Sequence, residues 1–271
     1  MSATLKAALQ SGRRVYGTMV ASSSPLWPTM VQSAGVDFVF IDTEHVPLDR
    51  ETVSWMCRGY AALGIAPIVR IGSPCPVAAC QMLDGGAAGI VAPYVESAEQ
   101  TRALAGAVRF RPVKGARLDR MVARPSACDP SLREYLAARN GDLLCIVNVE
   151  STPAVANLAE ILAVDGLDAV LIGPHDLSCS MGLPEQYGDP RFEQAVRQII
   201  RQSRDAGVAV GIHMVYGDLE TELQWAREGC NFILHSGDLF LVARSLRRDL
   251  AELRAGLGDD EREGGPSVSP L

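Results

Sequence analysis

Eight short β-rich runs recur along the 271 residues, each followed by a segment of helical periodicity, and this alternation restricts the possible folds more than any other feature. The runs are Arg14-Val-Tyr-Gly-Thr-Met-Val20, Val36 to Ile41, Ala66 to Ile71, Ala88-Gly-Ile-Val-Ala92, Leu143 to Val149, Asp168 to Ile172, Val208 to His213 and Asn231-Phe-Ile-Leu-His235. Helical segments cover Pro25 to Ala34, Asp49 to Ala62, Pro76 to Asp84, Ala98 to Val108, Pro153 to Ala163, Asp189 to Ala206, Asp218 to Glu228 and Asp238 to Ala255. Strands separated by helices pair in parallel, and eight such units at this length predict one closed (β/α)8 TIM barrel over a doubly wound open sheet. The barrel is expected over residues 1–257 with no linker inside it; the polar tail 258–271, rich in Gly, Pro and Ser, is expected to be disordered. The longest break in the rhythm, Arg109 to Asn140, predicts an added loop with a short helix over Ser131 to Arg139.

Composition narrows the partners. A chain that is 48% hydrophobic can bury one large core, while a formal charge of -7 lacks the basic footprint that nucleic acid or an anionic membrane requires. Small molecules are the expected partners. The seven Cys are odd in number, show no C-x-x-C pair and fit reduced core thiols in a cytoplasmic protein. The N-terminus has no apolar signal segment, and no apolar stretch is long enough to span a bilayer, so the expectation is a soluble, intracellular protein.

Reactive residues gather where barrel strands should end, which in a parallel α/β protein is where ligands bind. Asp42-Thr-Glu-His45 follows the second run, Arg70 the third, Glu150 the fifth and Asp176 the sixth. Glu150 and Asp176, on adjacent strands, can reach one cation, and two carboxylates with open positions suit Mg²⁺ or Mn²⁺. The bland readings are that Glu150 caps the next helix or pairs with an arginine, and that Asp176 caps a short turn beginning at Pro174. Arg70 suits a carboxylate or an enolate oxygen, or else pairs with Asp42 or Glu44; the two roles can coexist. His45 is the default proton carrier if it faces the pocket. His213 and His235 end the last two strands and are read as supporting or specificity residues, and His175 borders Asp176. Gly173-Pro-His-Asp176 could shape a tight turn toward an anion or metal, whereas Asp84-Gly-Gly-Ala-Ala-Gly89 precedes a strand and is a helix stop, not a nucleotide loop. No strand run carries a Lys, which disfavours Schiff-base chemistry.

Taken together, Asp42-x-Glu-His45, Val69-Arg70, Leu83-Asp-x-Gly-Ala87, Val149-Glu150 and Gly173-Pro-x-Asp-Leu-Ser178 followed by Met181-Gly182 resemble the metal-dependent pyruvate aldolases typified by 4-hydroxy-2-oxoheptanedioate aldolase and 2-keto-3-deoxy-L-rhamnonate aldolase. The resemblance runs in consistent order from about Gly17 to Arg248. It implies a (β/α)8 barrel, usually a homohexamer, with a C-terminal helix exchanged between subunits. It also implies a divalent cation on Glu150 and Asp176, Mg²⁺ or Mn²⁺ with Co²⁺ in the same range, and Arg70 on the pyruvyl oxygen. His45 would then serve acid/base chemistry, supported by Asp84 of a neighbouring chain, since Asp84 ends a helix at the opposite face of its own barrel. Asp42, Gly173, Pro174, His175 and His213 would border the substrate. The implied reaction is cleavage or formation of 4-hydroxy-2-oxo acids through a pyruvate enolate. Alternatives are a decarboxylase or CoA-thioester lyase of the same superfamily, or a barrel that binds without turnover. The chain departs from the resemblance at His175, where Ala or Asn is common, at Met19, where several members have Trp, and at Leu118-Asp-Arg120. These departures fall on the acceptor side and leave the metal and pyruvate half intact.

Overall fold

In a computed structural model, residues 2–124, 126, 128–215 and 218–259 are described; most of the expected 258–271 tail lies outside them. Eight parallel strands close in sequence order into a barrel: β1 (Val15–Val20), β2 (Phe38–Asp42), β3 (Ala66–Arg70), β4 (Gly89–Ala92), β5 (Leu144–Val149), β6 (Ala169–Ile172), β7 (Ala209–Met214) and β8 (Phe232–Gly237). Each pairs with its neighbour, and β1 closes on β8 across an irregularity between Gly17 and Met19. The helices are α1 (Ser2–Gln10), α2 (Trp27–Ser33), α3 (Arg50–Ala62), α4 (Pro76–Gly85), α5 (Ala98–Phe110), α6 (Gly115–Ala123) and α7 (Pro130–Asn140). They continue with α8 (Thr152–Ala156), α9 (Leu158–Leu162), α10 (Pro174–Ser180), α11 (Pro190–Asp205), α12 (Leu219–Glu228) and α13 (Asp238–Leu257).

Local chemistry starts and stops these helices as their sequence suggests. Asp49, Asp189 and Asp218 accept hydrogen bonds from the first turns of α3, α11 and α12, and Ser97 with Gln100 forms a capping box on α5. Gly86, at φ 111°, ends α4, which confirms the glycine pair there as a stop.

Alternate strand residues point inward and fill the barrel. Phe38 and Phe232 stack with ring centroids 4.4 Å apart, and Gly17 makes room for them, since a Cβ there would lie 2.5 Å from the Phe38 ring. Leu5, Ala8 and Leu9 of α1 pack beneath this pair in the same apolar cluster, so the N-terminal end of the barrel is sealed. The other strand face packs against the helices in a second, larger cluster. The next inward layer toward the C-terminal end changes character, because Asp42, Arg70, Asn148 and His213 replace apolar residues there.

Three expectations need correction. The single helix over Pro153 to Ala163 is broken into α8 and α9 at Asn157, whose side-chain N–H is drawn to the carbonyl of Glu96 at 2.8 Å. The Arg109 to Asn140 segment holds α6 as well as α7, with Met121, Cys128 and Leu136 forming a small core of their own. Gly173 to Asp176 opens the seven-residue helix α10 instead of forming an isolated tight turn.

Candidate active site

Asp42 and Arg70 end β2 and β3 as direct register partners. Arg70 donates from Nε to Asp42 Oδ1 at 2.8 Å and from Nη2 to Oδ2 at 2.7 Å, with both side chains buried. Burial would raise the Asp42 carboxyl, but the hydrogen bonds and charge of Arg70, joined by the Glu44 N–H, hold it below the usual carboxylate range. Glu44 Oε2 lies 3.2 Å from Arg70 Nε without hydrogen-bond alignment, and Glu44 Oε1 lies 3.7 Å from His45 Nε2. The loop that carries these groups is tied to β3 by Thr43, whose hydroxyl donates to the Arg70 carbonyl at 2.6 Å. The pairing expected for Arg70 is therefore present, and the side chain is still held inside the barrel mouth.

The second half of the site lies on β5 and after β6. Glu150 Oε1 accepts from the Tyr94 N–H at 2.7 Å, and Oε2 accepts from Asn148 Nδ2 at 2.7 Å. Neither bland reading of Glu150 holds: Ser151 caps α8, and Glu150 forms no ion pair with an arginine among the described residues. Asp176 stands exposed in the first turn of α10, with no hydrogen-bond or ion-pair partner among the described residues. Burial raises the Glu150 carboxyl, the hydrogen bonds from Tyr94 and Asn148 lower it, and the charges of Asp176 and Glu44 add to the rise. The two carboxylates converge beside Gly173, where a Cβ would lie 2.8 Å from Glu150 Oε2 and 3.7 Å from Asp176 Oδ2. A glycine that leaves open space between two crowded carboxylates fits a hard divalent cation, which takes oxygen ligands and keeps further positions for water or substrate. No group of three or more His, Cys, Asp and Glu side chains forms a metal cluster among the described residues, so the fit rests on this pair.

The remaining expected residues separate. His213 is buried inside the barrel against Phe40, with its Nε2 3.2 Å from the Ser236 carbonyl; burial and then the charge of Arg70 push it down to about 4. Pro174 and His175 open α10, and His175 Nδ1 lies 3.8 Å from Glu185 at the exposed edge. His235 turns outward to Glu222, at 2.8 Å, and does not join the interior layer. Asp84, at the far end of α4, pairs with Arg111 at 3.1 Å. Sequence reading missed two contributors. Asn148 was detectable, since it lies two residues before Glu150 on one strand face; Tyr94 carried no signal. A cavity of about 570 Å³ lies elsewhere, on the barrel flank between Ala105, Leu136 and Val164, and contains none of the expected site residues. Convergent charge, not volume, marks the site.

Residues 16–245 match the family model described as HpcH/HpaI aldolase/citrate lyase. The chain is 32% identical over 256 residues to a 2-keto-3-deoxy-L-rhamnonate aldolase of Klebsiella pneumoniae, covering 94% of each protein. An HpcH/HpaI aldolase/citrate lyase family protein of Burkholderia cenocepacia superposes with a TM-score of 0.80 at 29% identity, covering 93% of this chain and 99% of that one. The citrate synthase SbnG superposes with a TM-score of 0.81 at 28% identity, covering 94% and 99%.

Proposed function

We propose, from the premise that the chain belongs to the HpcH/HpaI aldolase/citrate lyase family, that it is a carbon–carbon lyase that cleaves or forms 4-hydroxy-2-oxo acids as a metal-dependent aldolase. The observation that carries this reading is one barrel mouth in which the carboxylate pair Glu150 and Asp176, the buried guanidinium of Arg70 and the imidazole of His45 are assembled.

A divalent cation held by Glu150 and Asp176, Mg²⁺ or Mn²⁺ with Co²⁺ in the same range, would withdraw charge from the keto oxygen of the substrate. Arg70 acts on that oxygen as well. One N–H each of Nε and Nη2 is committed to Asp42, which leaves Nη1 and the second N–H of Nη2 for the substrate and fixes the guanidinium before charge develops. In cleavage, His45 takes the proton of the C4 hydroxyl as the C3–C4 bond breaks and the electron pair passes to pyruvate as its enolate. The same imidazole returns the proton to C3, and pyruvate and an aldehyde leave. His175 at the exposed edge, next to Pro174, would border the acceptor side, whereas Gly173 between the carboxylates and His213 in the layer of Arg70 would border the pyruvate half.

Assembly belongs to the same reading. The net charge of -7 favours small-molecule substrates, and a homo-oligomer, hexamer favoured, would exchange α13 between subunits. Support comes from α13 itself, which buries only Asp238 and exposes Leu239, Val242, Leu246, Leu250, Leu253 and Leu257 along one stripe. Leu26, Met30, Leu219 and Leu223 are exposed as well. A cytoplasmic location agrees with the free cysteines, and no helix among the described residues is long and apolar enough to cross a membrane.

The test is a screen of 4-hydroxy-2-oxo acids with Mg²⁺ or Mn²⁺, reading pyruvate release, run beside oxaloacetate and a CoA ester. Metal-dependent release from a 4-hydroxy-2-oxo acid is expected. Turnover of oxaloacetate or the CoA ester alone would move the assignment to a decarboxylase or thioester lyase of the superfamily.

A further inference from the structure

The barrel flank carries a second concave site, the cavity of about 570 Å³ left between α5, α7 and the turn after α9. That volume is within the range of small-molecule pockets. Its walls are largely apolar, with Ala105 and Phe110 from α5, Val122 from α6, Leu136 from α7 and Val164 beyond α9. Gly106 lets the α6 wall close in, because a Cβ there would collide with Val122. The charges around these walls run against the chain's net -7. Lys6, Arg102, Arg109 and Arg133 line the cavity, against Asp165 as the one acidic lining residue.

Two of these cations are built into the frame. Arg109 donates to the carbonyls of Leu143 at 2.5 Å and Gly166 at 2.9 Å and pairs with Asp168, which Lys6 also approaches at 3.1 Å. The buried Asn140 donates to the carbonyls of Arg109 and Arg111 at 3.1 and 2.7 Å, so α5 and α7 end together. The other two cations stand about two turns before those ends and are uncommitted. Arg133 donates only to the Cys128 carbonyl, at 3.2 Å, and Arg102 has no hydrogen bond or ion pair among the described residues. Neither pairs with Asp165.

We propose that this cavity binds a small carboxylic acid with an apolar body, its hydrocarbon against Ala105, Leu136 and Val164 and its carboxylate held by Arg102 and Arg133. A guanidinium matches a carboxylate through its fork of N–H donors, and the apolar walls favour a hydrocarbon body that an acid as small as pyruvate lacks. The site stands at the opposite end of the barrel from the candidate active site. Gly141 and Gly166 line it just before β5 and β6 begin, whereas Glu150 and Asp176 follow those strands. It is independent of the aldolase reading.

The test uses 1-naphthoate, with 1-naphthamide as its uncharged counterpart and acetate as the carboxylate without a body, each titrated into the full-length protein by calorimetry. Naphthoate should bind at one site per chain with a Kd below about 1 mM, and the other two should bind about 10-fold or more weakly. Arg102→Glu, at an exposed position with no partner to lose, should weaken naphthoate about 10-fold. Ala137→Phe, which fills the cavity from the exposed side of α7, should abolish binding, and Arg70→Ala, at the other end of the barrel, should leave it unchanged. Absence of saturable naphthoate binding to the wild-type protein would overturn the proposal. So would binding that ignores Arg102→Glu and Ala137→Phe, or that is lost in a folded Arg70→Ala. If Ala137→Phe fails to fold, Arg102→Glu decides alone.

Discussion

Asp42 and Arg70 meet across two adjacent strands through two hydrogen bonds of 2.8 and 2.7 Å, at the level where the barrel interior turns from apolar to polar. The pair spends two of the guanidinium donors on orientation, and that has a consequence for substitution. A lysine could keep the positive charge but could not both hold Asp42 in a fork and present a further donor. Arg70→Lys and Arg70→Ala should therefore both lower turnover by roughly 10²-fold or more, as expected for a group acting on a developing oxyanion, with Mn²⁺ affinity little changed. Steady-state kinetics equal to wild type in a folded variant would reduce the pair to a structural link.

Glu150 and Asp176 should make stability respond to metal. Their carboxylates crowd one another beside Gly173, and a bound cation offsets that repulsion. Adding Mn²⁺ should raise the unfolding midpoint of the wild-type protein and leave that of Glu150→Gln or Asp176→Asn nearly unchanged. A chelator should abolish turnover, and borohydride with pyruvate should trap no lysine adduct. Activity that survives the chelator would remove the metal from the mechanism.

His213 should make stability depend on pH. Its folded value is pushed down to about 4 from 6.5, so between those limits the unfolded chain binds more protons than the folded one. Stability must then fall as pH drops from 6.5 toward 4, by on the order of 1 to 3 kcal/mol from this group. Urea unfolding from pH 7.5 to 4.5 should show a shallower decline in His213→Gln, whose amide can still donate to the Ser236 carbonyl. Parallel declines in the two proteins would show that His213 is not the group responsible.

Asp84 and His45 should complement each other between chains. Within one subunit Asp84 closes the far end of α4 and pairs with Arg111, so any contact with His45 has to come from a neighbour. Chains carrying His45→Ala, mixed with chains carrying Asp84→Ala, should recover part of the activity that each lacks alone. An active monomer at high dilution would refute the shared site.

The barrel was legible because its signals are local and repeated. Runs such as Phe38–Asp42 and Leu144–Val149 are buried on both faces, and caps such as Asp49 and Asp189 sit where helices begin. The placement of Asp42, Arg70, Glu150 and Asp176 was legible for the same reason, each lying at or just beyond the end of a strand. What escaped were features fixed by contacts distant in sequence. Asn157 breaks a helix by reaching back to Glu96, and α1 gains its purpose only where Leu5 and Leu9 meet strands far along the chain. Tyr94 is the sharpest case, because its contact with Glu150 depends on a left-handed backbone angle and on a carboxylate 56 residues away.

The stacked Phe38 and Phe232, with α1 beneath them, make this barrel a cup with a floor and a single mouth. Two molecules that share one opening cannot pass each other freely. Under the proposed reaction, the keto acid seated deeper, against Arg70 and the carboxylate pair, is the first to enter in synthesis and the last to leave in cleavage, so the floor of the barrel imposes an order on the traffic above it.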